Sequence, residues 1–155
     1  MRNGEQVQRF EQAFAKYVGA EYAIGLVNGT ATLHTALVAL GVKPGDRVAV
    51  PCLTMAATTL AVLHAGAVPV FVDVDPDTWL MVLPDDAGLA VPVSLYGLHW
   101  PGGGSLEVDD AAQTLRPHGD AAFTSWSFQA SKHLALGEGG MLGTNDEDLA
   151  RKARA

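Results

Sequence analysis

Cysteine is almost absent: Cys52 is the single one in 155 residues. No disulfide can form within the chain, which fits a reducing compartment. Basic charge is also scarce. Ten Lys and Arg against 17 Asp and Glu give a net charge of -7, so the basic footprint of a nucleic-acid binder is missing and no such partner is expected. No apolar run is long enough to span a bilayer, and no membrane partner is expected. The opening residues MRNGEQVQRF are polar and lack the apolar core of a signal peptide. A soluble cytoplasmic protein is the expectation. His34, His64, His99, His118 and His133 show no ligand spacing with the cysteine or with paired acids, so no metal is expected either.

What is present is a globular composition. Hydrophobic residues make up 48% and charged residues 17%, enough for one domain with a core. Seventeen glycines point to many turns or close backbone approaches. Phe10, Phe14, Tyr17 and Val18 recur at helical spacing. Tyr22 to Val27 reads as a strand, and Asn28-Gly29-Thr30 then leads into an apolar helix, ATLHTALVAL, that stops at Gly41. Arg47 to Val50 reads as a strand and Met55 to Ala65 as a helix. Val68 to Val74 is a nearly continuous apolar run, expected of a strand buried on both faces. Leu89 to Leu95, Leu106 to Val108, Ala121 to Phe128 and Gly140 to Gly143 read as further strands. His99 to Ser105 reads as a loop. Asn145 is the expected N-cap of a last helix. Alternating strands and helices predict an α/β domain with a mostly parallel sheet and flanking helices. His34 and Cys52 are expected as packed residues, Glu11 and Glu21 as surface ones.

Four stretches fall where ligands bind in such sheets, at the carboxyl ends of strands. Asn28-Gly29-Thr30 opens a helix, where free N–H groups attract anions; a plain turn capped by Thr30 explains it as well. VDDAAQ, Val108 to Gln113, ends a strand in two acids, which can hold a protonated ring nitrogen or lie solvated in a loop. Trp126-Ser127-Phe128 precedes Lys132. A lysine at an apolar edge can act as a nucleophile toward carbonyls; a lone lysine is otherwise a surface charge. Gly137 to Gly140, GEGG, allows close approach to a ligand or makes a hairpin turn. None is specific alone. In this order they match what pyridoxal 5'-phosphate (PLP) requires: a lysine for its aldehyde, a carboxylate for its ring nitrogen, and N–H and hydroxyl donors for its phosphate.

The chain resembles the DegT/DnrJ/EryC1/StrS family of PLP-dependent sugar aminotransferases, of fold type I. The resemblance is carried by RFEQAFAKYVGAEYAIGLVNGTATLHTALVALGVKPGDRVAVP, LTMAATTLAVLHAGAVPVFVDVDPDT, VPVSLYG, VDDAAQ and SWSFQASKHLALGEGGMLGTNDEDLARKAR. It implies that Lys132 is the catalytic residue and carries the cofactor as a Schiff base. It implies that Asp110 pairs with the ring nitrogen, Gln113 lies near the ring hydroxyl, and Gly29, Thr30 and Ser127 hold the phosphate. The expected partners are an amino-acid donor such as glutamate, a nucleotide-linked keto sugar and a second subunit in a homodimer. A sister branch with histidine at the lysine position dehydrates its substrate; Lys132 argues against that branch.

Three departures stand out. Met55 occupies the position at which the family stacks an aromatic on the cofactor. Ser94 stands where a histidine is usual. Only LPDDAG joins Val82 to Leu89, only LHWPGGGS joins Gly97 to Leu106, and Thr114 to Ala121 is also short. A parallel crossover takes about a dozen residues or more. The expected unit, residues 1–155, is a partial PLP-binding large domain, shortened and lacking the C-terminal small domain. It is expected as a piece of a longer protein or a reduced gene. The alternatives are a truncated, non-catalytic PLP-binding or interaction module, or a fold type I lyase. Sheet faces left bare by missing helices predict self-association or poor solubility.

Overall fold

The computed structural model describes residues 4–84, 87–102 and 107–155. In chain order the elements are α1 (Glu5–Val18), β1 (Tyr22–Leu26), α2 (Gly29–Ala39), β2 (Arg47–Pro51), α3 (Ala56–His64), β3 (Val68–Val72), β4 (Leu89–Ala90), β5 (Val108–Asp110), β6 (Phe123–Ser127), β7 (Gly140–Thr144) and α4 (Glu147–Arg154). Two hydrogen-bonded sheets, β1-β7-β6-β5 and β3-β2-β4, are joined by parallel bridges from Ala90 to Glu107 and from Val93 to Asp110. The spatial order is therefore β3-β2-β4-β5-β6-β7-β1. Among the described strands only β7 runs against its neighbours, so the sheet is mostly parallel.

Side chains alternate across the sheet with a period of two, and this sorts the core. Phe123, Val108 and Leu142 face α2 and α3 and pack with Leu33, Leu37, Val48, Val50 and Val62. Trp126, Phe128 and Met141 face the other way and pack on Phe14 and Val18 of α1. The rings of Trp126 and Phe128 each lie 5.2 Å from that of Phe14, edge to face, a geometry worth about 1 kcal/mol beyond the area buried.

Several expectations change. The apolar run at β3 is not buried on both faces: Val68 is 47% and Phe71 60% exposed, because β3 pairs only with β2 and forms the sheet edge. Strand pairing over Leu89–Leu95 is confined to Leu89–Ala90 and a bridge at Val93, since Pro92 has no N–H to donate. Leu106 and Gly103 to Ser105 lie outside the described residues, as do Asp85 and Asp86 of LPDDAG. Gly137 to Gly140 form no tight hairpin: Gly137 and Gly139 have positive φ, and Phe128 to Gly139 all separate β6 from β7. Asp146, not Asn145, caps α4 by accepting the Leu149 N–H, while Asn145 accepts the Glu21 N–H.

Glu11 is buried rather than exposed. Its carboxylate accepts the Gly25 N–H at 2.7 Å and the Arg154 guanidinium at 3.0 Å, and Arg154 donates to the Ala23 carbonyl at 2.9 Å. Those backbone groups lie on the unpaired side of edge strand β1, so the ion pair covers an edge that would otherwise be open to another strand. Cys52 is exposed, with its thiol 3.7 Å from Asp73. His34 is half-buried and meets the His64 ring edge-on at 6.0 Å.

Candidate active site

A cavity of about 350 Å³ opens where β1, β2, β5 and β6 end, and Gly29, Thr30, Met55, Asp110, Gln113, Ser127 and Lys132 all line it. The chain thus brings together residues from four strand ends, and the volume falls within the usual range of ligand clefts.

The floor at one side is the start of α2. Asn28 caps it, its side chain accepting the Ala31 N–H at 2.9 Å, so the cap is Asn28 and not Thr30. The N–H groups of Gly29 and Thr30 have no partner among the described residues, as expected of a helix start poised for an anion. Ser127 closes on this turn from β6. A Cβ on Gly29 would sit 2.9 Å from the Ser127 Cβ, so glycine is needed for that approach. Gly140 is needed for a related reason: its Cβ would lie 2.6 Å from the carbonyl of Asn28. Gly140 therefore serves contact with the α2 turn rather than with a ligand. Thr32 donates to the Gly29 carbonyl at 2.6 Å, which leaves Ser125 as the donor in their 2.5 Å bond. Ser125 and Ser127 share a face of β6 and Trp126 and Phe128 the other, so SWSF alternates between site and core.

Opposite this cradle lies Asp110, buried at the end of β5. Burial raises its carboxyl above the usual carboxylate range, and a hydrogen bond from Thr58, the Ala112 N–H and the charge of Lys132 offset only part of that rise. Gln113 follows one turn later. Its side-chain oxygen accepts the Tyr96 N–H at 3.0 Å, which leaves its amide N–H groups to donate. Tyr96 makes this contact from a left-handed conformation, φ 52°, a costly one for an aromatic residue that surrounding structure must hold in place. Lys132 is half-buried, and its backbone N–H is tied to the Gln129 carbonyl at 2.8 Å. Met55, the residue before α3, is 65% exposed and lines the cavity. Ser94 does not reach the cavity: it donates to Asp109 at 2.9 Å on the other face of the sheet.

Sequence reasoning passed over Thr54, Thr58 and Tyr96. The spacing of Thr54 and Thr58, four apart across a helix start, is a readable signal for the first two. Nothing local marks Tyr96, whose role comes from a fold-dependent contact.

These residues fit PLP. An amine, a buried carboxylate with donors already in place, and a cradle of free N–H groups with a hydroxyl are the three donor types its groups require.

The profile of the DegT/DnrJ/EryC1/StrS aminotransferase family matches residues 1–91 and 104–155. GDP-perosamine synthase of Caulobacter vibrioides is 40% identical over 177 aligned positions, which cover 97% of this chain and 47% of that protein. Spore coat polysaccharide biosynthesis protein SpsC of Bacillus subtilis is 38% identical, over 99% of this chain and 46% of that one. The PLP form of the putative sugar aminotransferase Spr1654 from Streptococcus pneumoniae superposes with a TM-score of 0.87 at 26% identity, over 98% of this chain and 50% of that one. The chain spans about half the length of the curated relatives it matches. The 177 aligned positions outnumber the chain's 155 residues, so the relative carries residues within the shared span that this chain lacks. The break in the family match at 92–103 overlaps VPVSLYG and one of the short connections.

Proposed function

The chain belongs to the DegT/DnrJ/EryC1/StrS aminotransferase family, whose members here are PLP-dependent aminotransferases of fold type I, and on that premise we propose that it transfers an amino group to a sugar. In this reading residues 1–155 are part of a PLP-binding large domain, glutamate is the donor, a keto sugar nucleotide is the acceptor, and the unit is a homodimer. The observation that carries it is the convergence of Lys132, Asp110 and the Gly29–Thr30–Ser127 cradle on one cavity. The sugar is supported by relatives named for perosamine synthesis and for spore coat polysaccharide.

Each residue then has a task. The N–H groups of Gly29 and Thr30 and the Ser127 hydroxyl would hold the phosphate. The Asp110 carboxylate would accept the ring N–H. The Gln113 amide would donate to the ring hydroxyl oxygen. Met55 would cover one ring face with a thioether, more adaptable than an aromatic. Lys132 would hold the cofactor covalently through Nζ. Bound in this way, PLP supplies an electron sink for charge developing at the amino-bearing carbon. When free, the Lys132 amine is placed to take a proton at Nζ and return it to a neighbouring carbon, as general base and then acid. The charge on Asp110 keeps a positive charge favourable at the ring nitrogen.

Purified protein incubated with PLP tests this. A visible absorption band that disappears in Lys132→Ala and is converted by glutamate is the expected result. A band without response to glutamate leaves a non-catalytic binding module, the reading that the shortened connections favour. No band at saturating PLP ends both readings.

A further inference from the structure

We propose that Thr58, backed by Thr54, is a positioning residue that holds Asp110 in its ionised form and thereby keeps the cofactor's ring nitrogen protonated. The inference rests on the PLP reading above and extends it to residues that do not touch the cofactor's reacting atoms.

Asp110 is 5% exposed and Thr58 is 0% exposed. Thr58 cannot exchange its partner for water, and Asp110 meets water only through the cavity, so the bonds each makes inside the protein weigh heavily on its state. The Thr58 hydroxyl lies 2.8 Å from Oδ2 of Asp110, and the Thr54 hydroxyl lies 2.8 Å from that of Thr58. Directions follow from counting protons. An ionised carboxylate only accepts, and a hydroxyl has one proton. Thr58 spends its proton on Asp110, so Thr54 must donate to Thr58. The result is a one-way chain, Thr54 to Thr58 to Asp110, in which each bond polarises the next.

The remaining donor to Asp110 is weaker. The Ala112 N–H reaches Oδ1 at 3.2 Å, longer than is usual for a charge-assisted bond. Thr58 is therefore the closer of two neutral donors. Its place is set by the start of α3, where its N–H is tied to the Met55 carbonyl at 3.2 Å. Thr54 lines the cavity, so the chain runs from the cavity wall to the carboxylate. Valine would fill the same space as Thr58 without a hydroxyl, so packing alone does not call for threonine here.

The test compares wild type, Thr58→Val, Thr58→Ser and Thr54→Val in the full chain. One readout is the Asp110 carboxyl titration by NMR without cofactor. The other is the pH midpoint of the visible band with PLP bound. Thr58→Val is expected to raise the carboxyl midpoint by about one pH unit or more and to weaken PLP binding about tenfold, the effect of a lost hydrogen bond to a charge. Thr58→Ser should restore both, and Thr54→Val should shift them the same way by less. A merely structural threonine would leave both midpoints unmoved, and an unchanged midpoint in Thr58→Val overturns the proposal. Should that variant fail to fold, the Thr54→Val midpoints decide it in the same sense. A wild type without any PLP band defeats the cofactor reading and this inference with it; a wild-type band with an unshifted Thr58→Val midpoint defeats this inference alone.

Discussion

Asp109 and Asp110 are neighbours on one short strand, both buried and both with the carboxyl raised by that burial, yet they face opposite sides of the sheet and meet different partners. Asp110 looks into the cavity and receives Thr58, the Ala112 N–H and the charge of Lys132. Asp109 looks to the other side and receives one hydroxyl, from Ser94, against burial and the repulsion of Asp110 and Glu107. Its carboxyl is pushed up to about 7. Glu107 beside it is also buried, bonded to the Trp100 indole N–H at 2.8 Å through one oxygen, while the other oxygen has no partner among the described residues. One face gives its carboxylate two hydrogen-bond donors and a nearby cation. The other, next to the short segment Leu98–Gly102, holds acids with few donors. The cavity side of the sheet supplies its carboxylate with donors where the far side supplies few.

Three substitutions sharpen that contrast. The largest effect is expected from Asp109→Asn. A carboxyl raised from 3.8 to about 7 in the folded chain binds more protons folded than unfolded. Wild-type stability therefore falls as pH rises from about 4 to about 7 and levels off above. The full drop is on the order of 4 kcal/mol, because each pH unit between the unfolded and folded midpoints removes about 1.4 kcal/mol. Urea unfolding across pH should show Asp109→Asn with this slope flattened and with higher stability than wild type at pH 8. An unchanged slope would place the far-side strain elsewhere. PLP binding should be untouched.

Gly140→Ala is expected to act on the cofactor side. The added methyl meets backbone of Asn28, which cannot rotate away, at a cost of about 1–3 kcal/mol. Because the displaced turn carries the Gly29 and Thr30 N–H groups, PLP affinity should fall along with the thermal midpoint. Loss of stability with full PLP affinity would separate the cradle from the glycine contact. The smallest effect belongs to Asn28→Ala, which removes the cap of α2 for about 1 kcal/mol, read as a lower thermal midpoint.

Much of the cofactor side was legible in the chain. The α2 start, the acid at the end of β5, and the serine–lysine stretch are each local patterns, and their order matched one chemistry. Lys132 alone looked like a surface charge. Placed after Asn28-Gly29-Thr30 and Asp110 it is half-buried on their cavity. The misreadings share a cause. Val68 to Val72 is as apolar as a central strand, and only its missing neighbour makes it an edge. Glu11 looked like a solvated helix face until Arg154 and the Gly25 N–H came to it from far along the chain. Asn145 and Asp146 are both good caps, and Asn145 was taken by Glu21.

Local patterns and residue order were enough for the fold class and for seven residues gathered at the cavity, because strand periodicity and helix starts depend on neighbours within a few positions; the family came from the resemblance of whole motifs. The tertiary structure alone decided which aspartate receives donors, which strand lies at the edge, that Thr58 meets Asp110, and that Tyr96 meets Gln113. Those outcomes depend on contacts between distant segments, and the burial that makes them matter exists only once the sheet is assembled.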